Sequence, residues 1–203
     1  MYKCFFKRFL DIVLSFIGIV IFGIPMIIIA VKIKRDSKGP VFFKQERCGI
    51  HRKPFKIIKF RSMPVETPTN LPTDQFNAEN TLSNFQKALR KSSIDELPQI
   101  FNIFKGEMSV IGPRPALFNQ EYLLKLRDEN GSNSIKPGMT GWAQINGRDE
   151  LSDDIKAGYD GEYAKNISFS FDLKCFFGSF ISVAKSDGVQ EGGPDKSKEE
   201  VSL

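Results

Sequence analysis

The sequence predicts an α+β fold, mainly helical, with an N-terminal re-entrant membrane helix, a small β-hairpin and amphipathic interfacial helices. Three observations carry that reading. Residues 12–31 hold no charged side chain and have basic residues on both flanks. Two short β-rich apolar runs, around residues 41–43 and 55–60, are separated by a segment containing Gly49 and Pro54. The rest of the chain carries helical apolar stripes and an aromatic amphipathic stretch at residues 169–185. At 203 residues the chain is long enough for one domain with a real core and an added anchor. The expected division is residues 1–38 as the membrane-associated helix, 39–187 as a cytoplasmic domain, and 188–203 as a disordered tail of small and charged residues.

Charge is unevenly spread. Residues 1–63 carry 14 Lys/Arg against Asp11, Asp36 and Glu46, a net of +11, while the remainder carries 15 Lys/Arg against 21 Asp/Glu, a net of −6. A basic first third beside an apolar run suits anionic lipid head groups or phosphorylated ligands. Nucleic acid would suit the charge but not the apolar run, so no nucleic-acid partner is expected. Cys4, Cys48 and Cys175 are odd in number and far apart, and His51 is the single histidine. Neither a disulfide framework nor a zinc site is supported, and a reducing, cytosolic setting fits best.

At ~1.5 Å rise per residue, a straight helix over residues 12–31 would just cross a hydrocarbon core of ~30 Å. Pro25, preceded by Gly23 and Ile24, lies inside the run and removes a backbone hydrogen bond there. Lys3, Lys7 and Arg8 precede the run and Lys32, Lys34, Arg35 and Lys38 follow it, so both ends favour the cytoplasmic side. A helix that enters, breaks near Ile24-Pro25 and returns meets both conditions, whereas a plain spanning anchor meets only the length. Ser15 or Gly23 is expected to relieve the exposed backbone at the break. Asp11 is expected to form a local ion pair with Arg8.

Beyond the hairpin, Lys59 and Arg61 share one parity and could point together at an anion, or serve as edge-strand lysines and arginines that resist aggregation. Residues 64–81 hold three prolines and no period, which reads as a loop over a site. Helices are expected at about 82–91, from residue 100 to a stop at Gly106, at 121–128 and at 153–164. Between the first two lies Ser93-Ile94-Asp95-Glu96-Leu97-Pro98-Gln99, where Ser93 and Glu96 fit a capping box. Arg114 is held between Pro113 and Pro115, a nearly fixed backbone that suits phosphate recognition. Gly138 and Gly141 allow close backbone approach, and Asn146-Gly147 signals a tight turn. Trp142, the only tryptophan, could sit in the core, at the membrane interface or as a base-stacking platform, with the core as the default.

No P-loop, G-x-S-x-G, D-x-D or paired His/Cys spacing occurs, so serine hydrolase, zinc hydrolase and P-loop kinase chemistry drop out. What remains is one acidic pair, constrained cations and a membrane helix. Adjacent residues face different ways, so Asp95 and Glu96 should differ in role. A carboxylate can attack a phosphoryl group covalently if its charge is offset by Mg²⁺, Arg or Lys. A membrane-anchored scaffold that binds anionic lipid without turnover is the alternative, and it needs neither acid.

Seven segments, taken in order, resemble the bacterial sugar transferase family, the monotopic phosphoglycosyl transferases in their small form: Lys7-Arg8-Phe-Leu-Asp11, Phe55 to Met63, Leu89 to Gln99, Gly106-Glu-Met-Ser, Gly112-Pro-Arg114-Pro115, Lys136 to Arg148, and Tyr163 through Asn166 to Lys174. The resemblance covers roughly residues 1–187. It implies transfer of a phosphosugar from a UDP-sugar to polyprenyl (undecaprenyl) phosphate with release of UMP, the first membrane step of glycoconjugate assembly. It implies Asp95 as the nucleophile that forms an acyl-phosphate, and Glu96 as a metal-binding or deprotonating partner. Arg114, Arg148 and Lys59 are implied as phosphate-binding residues. Mg²⁺ held by Asp95 and Glu96 is implied too, as is a place on the cytoplasmic face of the bacterial inner membrane. Three positions depart from the family pattern: Ile24 before Pro25, Phe85-Gln86, and Cys48 between Arg47 and Gly49. The residues that select the sugar are expected in the 64–81 loop and around residues 116–135.

Overall fold

A π-helical turn, Tyr2–Phe6, leads into α1 (Lys7–Asp36), a 30-residue helix with its basic residues gathered at the two ends. The computed structural model describes residues 2–64, 82–147 and 150–185. Around α1 the chain builds the hairpin β1 (Phe42–Cys48) and β2 (Pro54–Phe60), then α2 (Asn84–Lys91), a 3₁₀ turn Ile94–Glu96 and α3 (Gln99–Lys105). The strand β3 (Ser109–Ile111), α4 (Glu121–Glu129), β4 (Gly138–Thr140), the short α5 (Trp142–Ile145), α6 (Asp153–Lys165) and α7 (Phe169–Lys185) follow. The fold is α+β and mainly helical.

Helical assignment runs through Ile24 and Pro25 without interruption, so the expected break does not appear in the secondary structure of α1. Proline is tolerated inside an apolar helix where the freed carbonyl is relieved nearby. Ser15 does not give that relief. Its hydroxyl donates to Asp11 O at 2.6 Å and Ile12 O at 3.1 Å, far up the helix from Pro25, and Gly23 has open space around it.

Both ends of α1 are tied to the same body. Near the start, Arg8 donates to the last carbonyls of α3, Ile103 O at 2.7 Å and Phe104 O at 2.8 Å. The carboxylate of Asp11 accepts from Ser109 Oγ at 3.0 Å and Val110 N at 2.8 Å. The ion pair expected between Asp11 and Arg8 is therefore replaced by two different docking contacts, each satisfying orphan groups on another element. Near the end, Arg61 donates to Ser37 O, Lys38 O and Ser37 Oγ, all at 2.8 Å. Arg61 closes α1 and does not reach toward an anion beside Lys59. Between these ties, Met26 and Ile33 share a core with Phe60, Leu89 and Ile100.

The opposite side of α1 is apolar and open: Phe9, Phe16, Ile17, Val20, Ile21, Ile24, Ile27 and Ile28 are all exposed. α1 is long and apolar enough to cross a membrane by length and composition. α7 continues this surface with exposed Phe169, Leu173, Phe177, Phe180 and Ile181, while Asp172 and Cys175 on its other face are buried. The two helices join where Tyr2 packs edge-on against Phe169 and where Asp172 accepts from Tyr2 Oη at 2.6 Å and Lys7 Nζ at 2.7 Å.

The hairpin pairs Phe42 with Phe60 and Cys48 with Pro54 in an antiparallel register. Asn102 of α3, fully buried, covers the free edge of β2: its Oδ1 accepts from Ile58 N at 3.0 Å and its Nδ2 donates to Lys56 O at 2.8 Å. A second ladder, β3 with β4, is parallel and two strands wide. Glycine is required there. A Cβ on Gly138 would lie 2.1 Å from Gly112 N, and one on Gly141 would lie 2.1 Å from Gly112 O. The backbone that Gly138 and Gly141 approach is thus that of Gly112. Trp142 is only partly buried. Its indole donates to Glu162 at 2.7 Å and carries Lys174 over its ring at 4.3 Å.

Candidate active site

The turn between α2 and α3 presents the acidic pair. Ser93 takes a left-handed conformation at φ 55°, a strained choice for a residue with a Cβ, and its side chain makes no cap hydrogen bond. The capping box expected from Ser93 and Glu96 is therefore absent. A capping box does form ten residues earlier, where Ser83 Oγ accepts from Gln86 N and Gln86 Oε1 accepts from Ser83 N. Glu96 is freed from capping by its own neighbours. Its Oε1 accepts from Lys59 Nζ at 2.8 Å and from Arg114 Nη2 at 2.9 Å.

Lys59, Glu96 and Arg114 come from β2, the 3₁₀ turn and the segment after β3, so three elements converge on one carboxylate oxygen. Burial alone would raise the Glu96 pKa, but Arg114 and Lys59 outweigh it and hold the carboxyl well below the usual carboxylate range. Asp95 is treated oppositely. Burial pushes its carboxyl up to about 6, with the Glu96 charge adding to the rise and Lys59, Arg90 and Arg114 opposing it. Its hydrogen bond among the described residues is a long one from Ser62 Oγ, 3.4 Å to Oδ2. One acid is locked as an anion by two cations. The other is poised near neutral pH, close to the same cations and lightly held.

The Arg114 mount is rigid beyond what its two prolines dictate. Four consecutive carbonyls each accept a hydrogen bond: Pro113 O from Gly138 N at 2.8 Å, Arg114 O from Arg127 Nη1 at 2.9 Å, Pro115 O from Arg47 Nη1 at 3.1 Å, and Ala116 O from Cys48 N at 2.9 Å. Arg127 is itself gripped by Asp160, with Nη2 2.6 Å and Nε 2.9 Å from Oδ2, and both side chains are buried. A guanidinium on so fixed a backbone loses little freedom when it meets an anion.

Of the residues singled out in the sequence, Asp95, Glu96, Lys59 and Arg114 are brought together. Arg148 and the loop from 65 to 81 lie outside the described residues. Ile24 and Pro25 lie within α1. Sequence reasoning missed Arg127, Asp160, Arg47, Asn102 and Ser62. A signal existed for two of them. Arg127 falls three and four residues after Leu124 and Leu123 on the apolar face of α4, and Asn102 interrupts the stripe Ile100-Phe101-Ile103-Phe104. A charged or amide group at a core position signals a buried partner.

The donor chemistry here suits a hard cation, since Asp95 and Glu96 offer carboxylate oxygens. No group of three or more His, Cys, Asp or Glu side chains able to hold a metal occurs among the described residues. A magnesium ion would therefore draw its remaining ligands from substrate phosphates and water, as such ions commonly do.

The family described as bacterial sugar transferase matches residues 2–186. A Bacillus subtilis (strain 168) protein named "Uncharacterized sugar transferase EpsL" is 38% identical over 91% of this chain and 90% of its own length. The UDP-glucose:undecaprenyl-phosphate glucose-1-phosphate transferase of Klebsiella pneumoniae is 37% identical over 85% of this chain, but over only 38% of its own length. The UDP-N-acetylgalactosamine-undecaprenyl-phosphate N-acetylgalactosaminephosphotransferase of Aeromonas hydrophila is 36% identical, over 92% of this chain and 45% of its own. The chain thus spans less than half the length of these last two relatives. The protein belongs to the bacterial sugar transferase family.

Proposed function

We propose that this protein transfers a sugar phosphate from a UDP-sugar to polyprenyl phosphate, through a phosphosugar carried on Asp95. The observation that carries this reading is the pairing of a buried, lightly held Asp95 with the Lys59–Glu96–Arg114 cluster. In the first step a carboxylate oxygen of Asp95 bonds to the sugar-bearing phosphorus. The bond from that phosphorus to the bridging oxygen breaks, and UMP leaves with the electron pair. In the second step a phosphate oxygen of the lipid attacks the same phosphorus and the Asp95 carboxylate is released.

Arg114 and Lys59 stabilise the charge that gathers on the transferred phosphoryl oxygens, with Arg148 as a third candidate. Arg114 and Lys59 hold Glu96 as an anion with its carboxyl below the usual range, which weakens it as a base toward the lipid phosphate. Its role in this reading is to hold the two cations at the height of Asp95. Magnesium, when bound at Asp95 and Glu96, supplies further positive charge against the diphosphate.

Membrane placement follows the same logic. Both ends of α1 are tied to one body, through Arg8 and Asp11 at the start and Ser37 and Lys38 at the end. A helix so tied favours a dip into one face over a crossing. Basic residues at both ends favour the cytoplasmic face of the bacterial inner membrane. In this reading residues 1–38 are the membrane-dipping part and 39–187 the catalytic part. The functional test is a panel of UDP-sugars assayed for UMP release with undecaprenyl phosphate and Mg²⁺. Lipid-dependent release is expected with at least one sugar, and its loss in Asp95→Asn. Lipid binding with no turnover on any sugar would favour the scaffold alternative.

A further inference from the structure

A cavity of about 190 Å³ begins at Glu96 and Arg114 and runs between β4, α5 and α7. Its lining there mixes apolar Met139, Ile145, Phe176 and Phe180 with the hydroxyl residues Thr140, Ser179 and Ser182. Phe180 is also exposed on the open apolar face of α7, beside Phe177 and Ile181. The cavity therefore joins the charged cluster to the surface that would meet lipid. We propose that it receives the head and first carbons of an isoprenoid phosphate, and that it is the acceptor's way to Asp95. This rests on the proposed transferase reading and adds where the acceptor lies.

Size separates the two substrates. Pockets that enclose a drug-sized ligand span roughly 300–1,000 Å³. A cavity of about 190 Å³ cannot enclose a nucleoside diphosphate sugar. It suits a ligand whose larger part stays outside in the bilayer. Its lining joins a guanidinium with aromatic rings and hydroxyls, a mixture that suits a phosphate on an isoprenoid chain.

The test places benzoylphenylalanine at Phe176 in the full chain, in nanodiscs holding radiolabelled undecaprenyl phosphate. Phe16, exposed on α1 away from the cavity, is the control position. The expected result is severalfold more labelling at 176 than at 16, suppressed by unlabelled undecaprenyl phosphate and not by phosphatidic acid. Equal labelling at both positions, or equal suppression by phosphatidic acid, would overturn the proposal. A kinetic arm uses Ile145→Trp, which narrows the cavity. The KM for undecaprenyl phosphate should rise roughly tenfold, equivalent to about 1.4 kcal/mol of lost binding. A larger rise in the KM for the UDP-sugar would assign the cavity to the donor and overturn the proposal. Crosslinking needs no turnover, so an absence of transferase activity in the unaltered protein would count against the proposed function while the labelling pattern still decides the cavity.

Discussion

Replacing Asp95 by Asn removes a charge that the fold disfavours, whereas replacing Glu96 by Gln removes one that two cations hold in place. The interval from the ordinary 3.8 to about 6 for Asp95 corresponds to roughly 3 kcal/mol, at ~1.36 kcal/mol per pH unit. Because the folded-state value is the higher one, folding favours the neutral acid. The penalty is absent well below 3.8 and fully present above about 6. Asn mimics the neutral acid. For a chain of this size ~1 kcal/mol moves Tm by about 2–4 °C, so Asp95→Asn should raise Tm by up to roughly 6–12 °C near neutral pH. The gain should shrink as pH falls through the window between the two values. Glu96→Gln leaves Lys59 and Arg114 facing each other without their shared anion. Breaking a buried pair from one side costs about 3–5 kcal/mol, and the 35% exposure of the Arg114 side chain puts this case at the lower end. A fall in Tm of roughly 6–12 °C is expected. The assay is thermal unfolding of the detergent-solubilised protein, followed by the fluorescence of Trp142. If Asp95→Asn lowered Tm as much as Glu96→Gln does, Asp95 would be an ordinary structural carboxylate and the reasoning would fail.

The rate of UMP formation in the first half-reaction should show an acid limb near the Asp95 value of about 6. The ionised fraction then falls from about 0.9 at pH ~7 to about 0.1 at pH ~5. Glu96→Gln should move that limb to lower pH, because the Glu96 charge helps raise the Asp95 value; a limb moving upward would refute the coupling. Arg127→Met leaves Asp160 buried and unpaired, so stability should drop by about 3–5 kcal/mol and the KM for UDP-sugar should rise as the Arg114 mount loosens. Arg127→Lys places its donors on a single nitrogen and cannot span Asp160 and Arg114 O as the planar fork of Arg127 does, so full rescue by lysine would contradict this account. Cysteines introduced separately at Lys3 and Lys38 should both react with a membrane-impermeant thiol reagent only from the cytoplasmic side. Reaction from opposite sides would establish a crossing helix.

Elements with a strong local pattern were legible in the sequence. The aromatic stretch 169–185 is α7, the stop at Gly106 is a left-handed residue closing α3, and the hairpin lies where two β-rich runs flank Gly49 and Pro54. Asp95 and Glu96 stood out because two acids before a proline sit among basic and glycine-rich segments. The ladder of β3 with β4 was not legible, since it joins two three-residue strands far apart in sequence and depends on glycines packing backbone to backbone. The Ser93 capping box failed for a related reason. The local pattern allowed it, but Lys59 and Arg114 arrive from distant elements and offer Glu96 charged partners in place of a backbone amide. Asp11 was likewise assigned to a neighbour in sequence and Arg61 to an anion shared with Lys59 or to a solvated edge, whereas their partners belong to β3 and to the end of α1.

The central claim, a phosphosugar carried on Asp95, is tested most directly by intact and peptide mass spectrometry after brief incubation with UDP-sugar in the absence of lipid. The account predicts UMP release stoichiometric with protein, and a gain of one sugar phosphate on the peptide containing Asp95. Adding undecaprenyl phosphate should discharge that adduct, and Asp95→Asn should abolish it. UMP release that occurs only when lipid is present, with no adduct at any time, would contradict the claim and point to direct transfer between the two substrates.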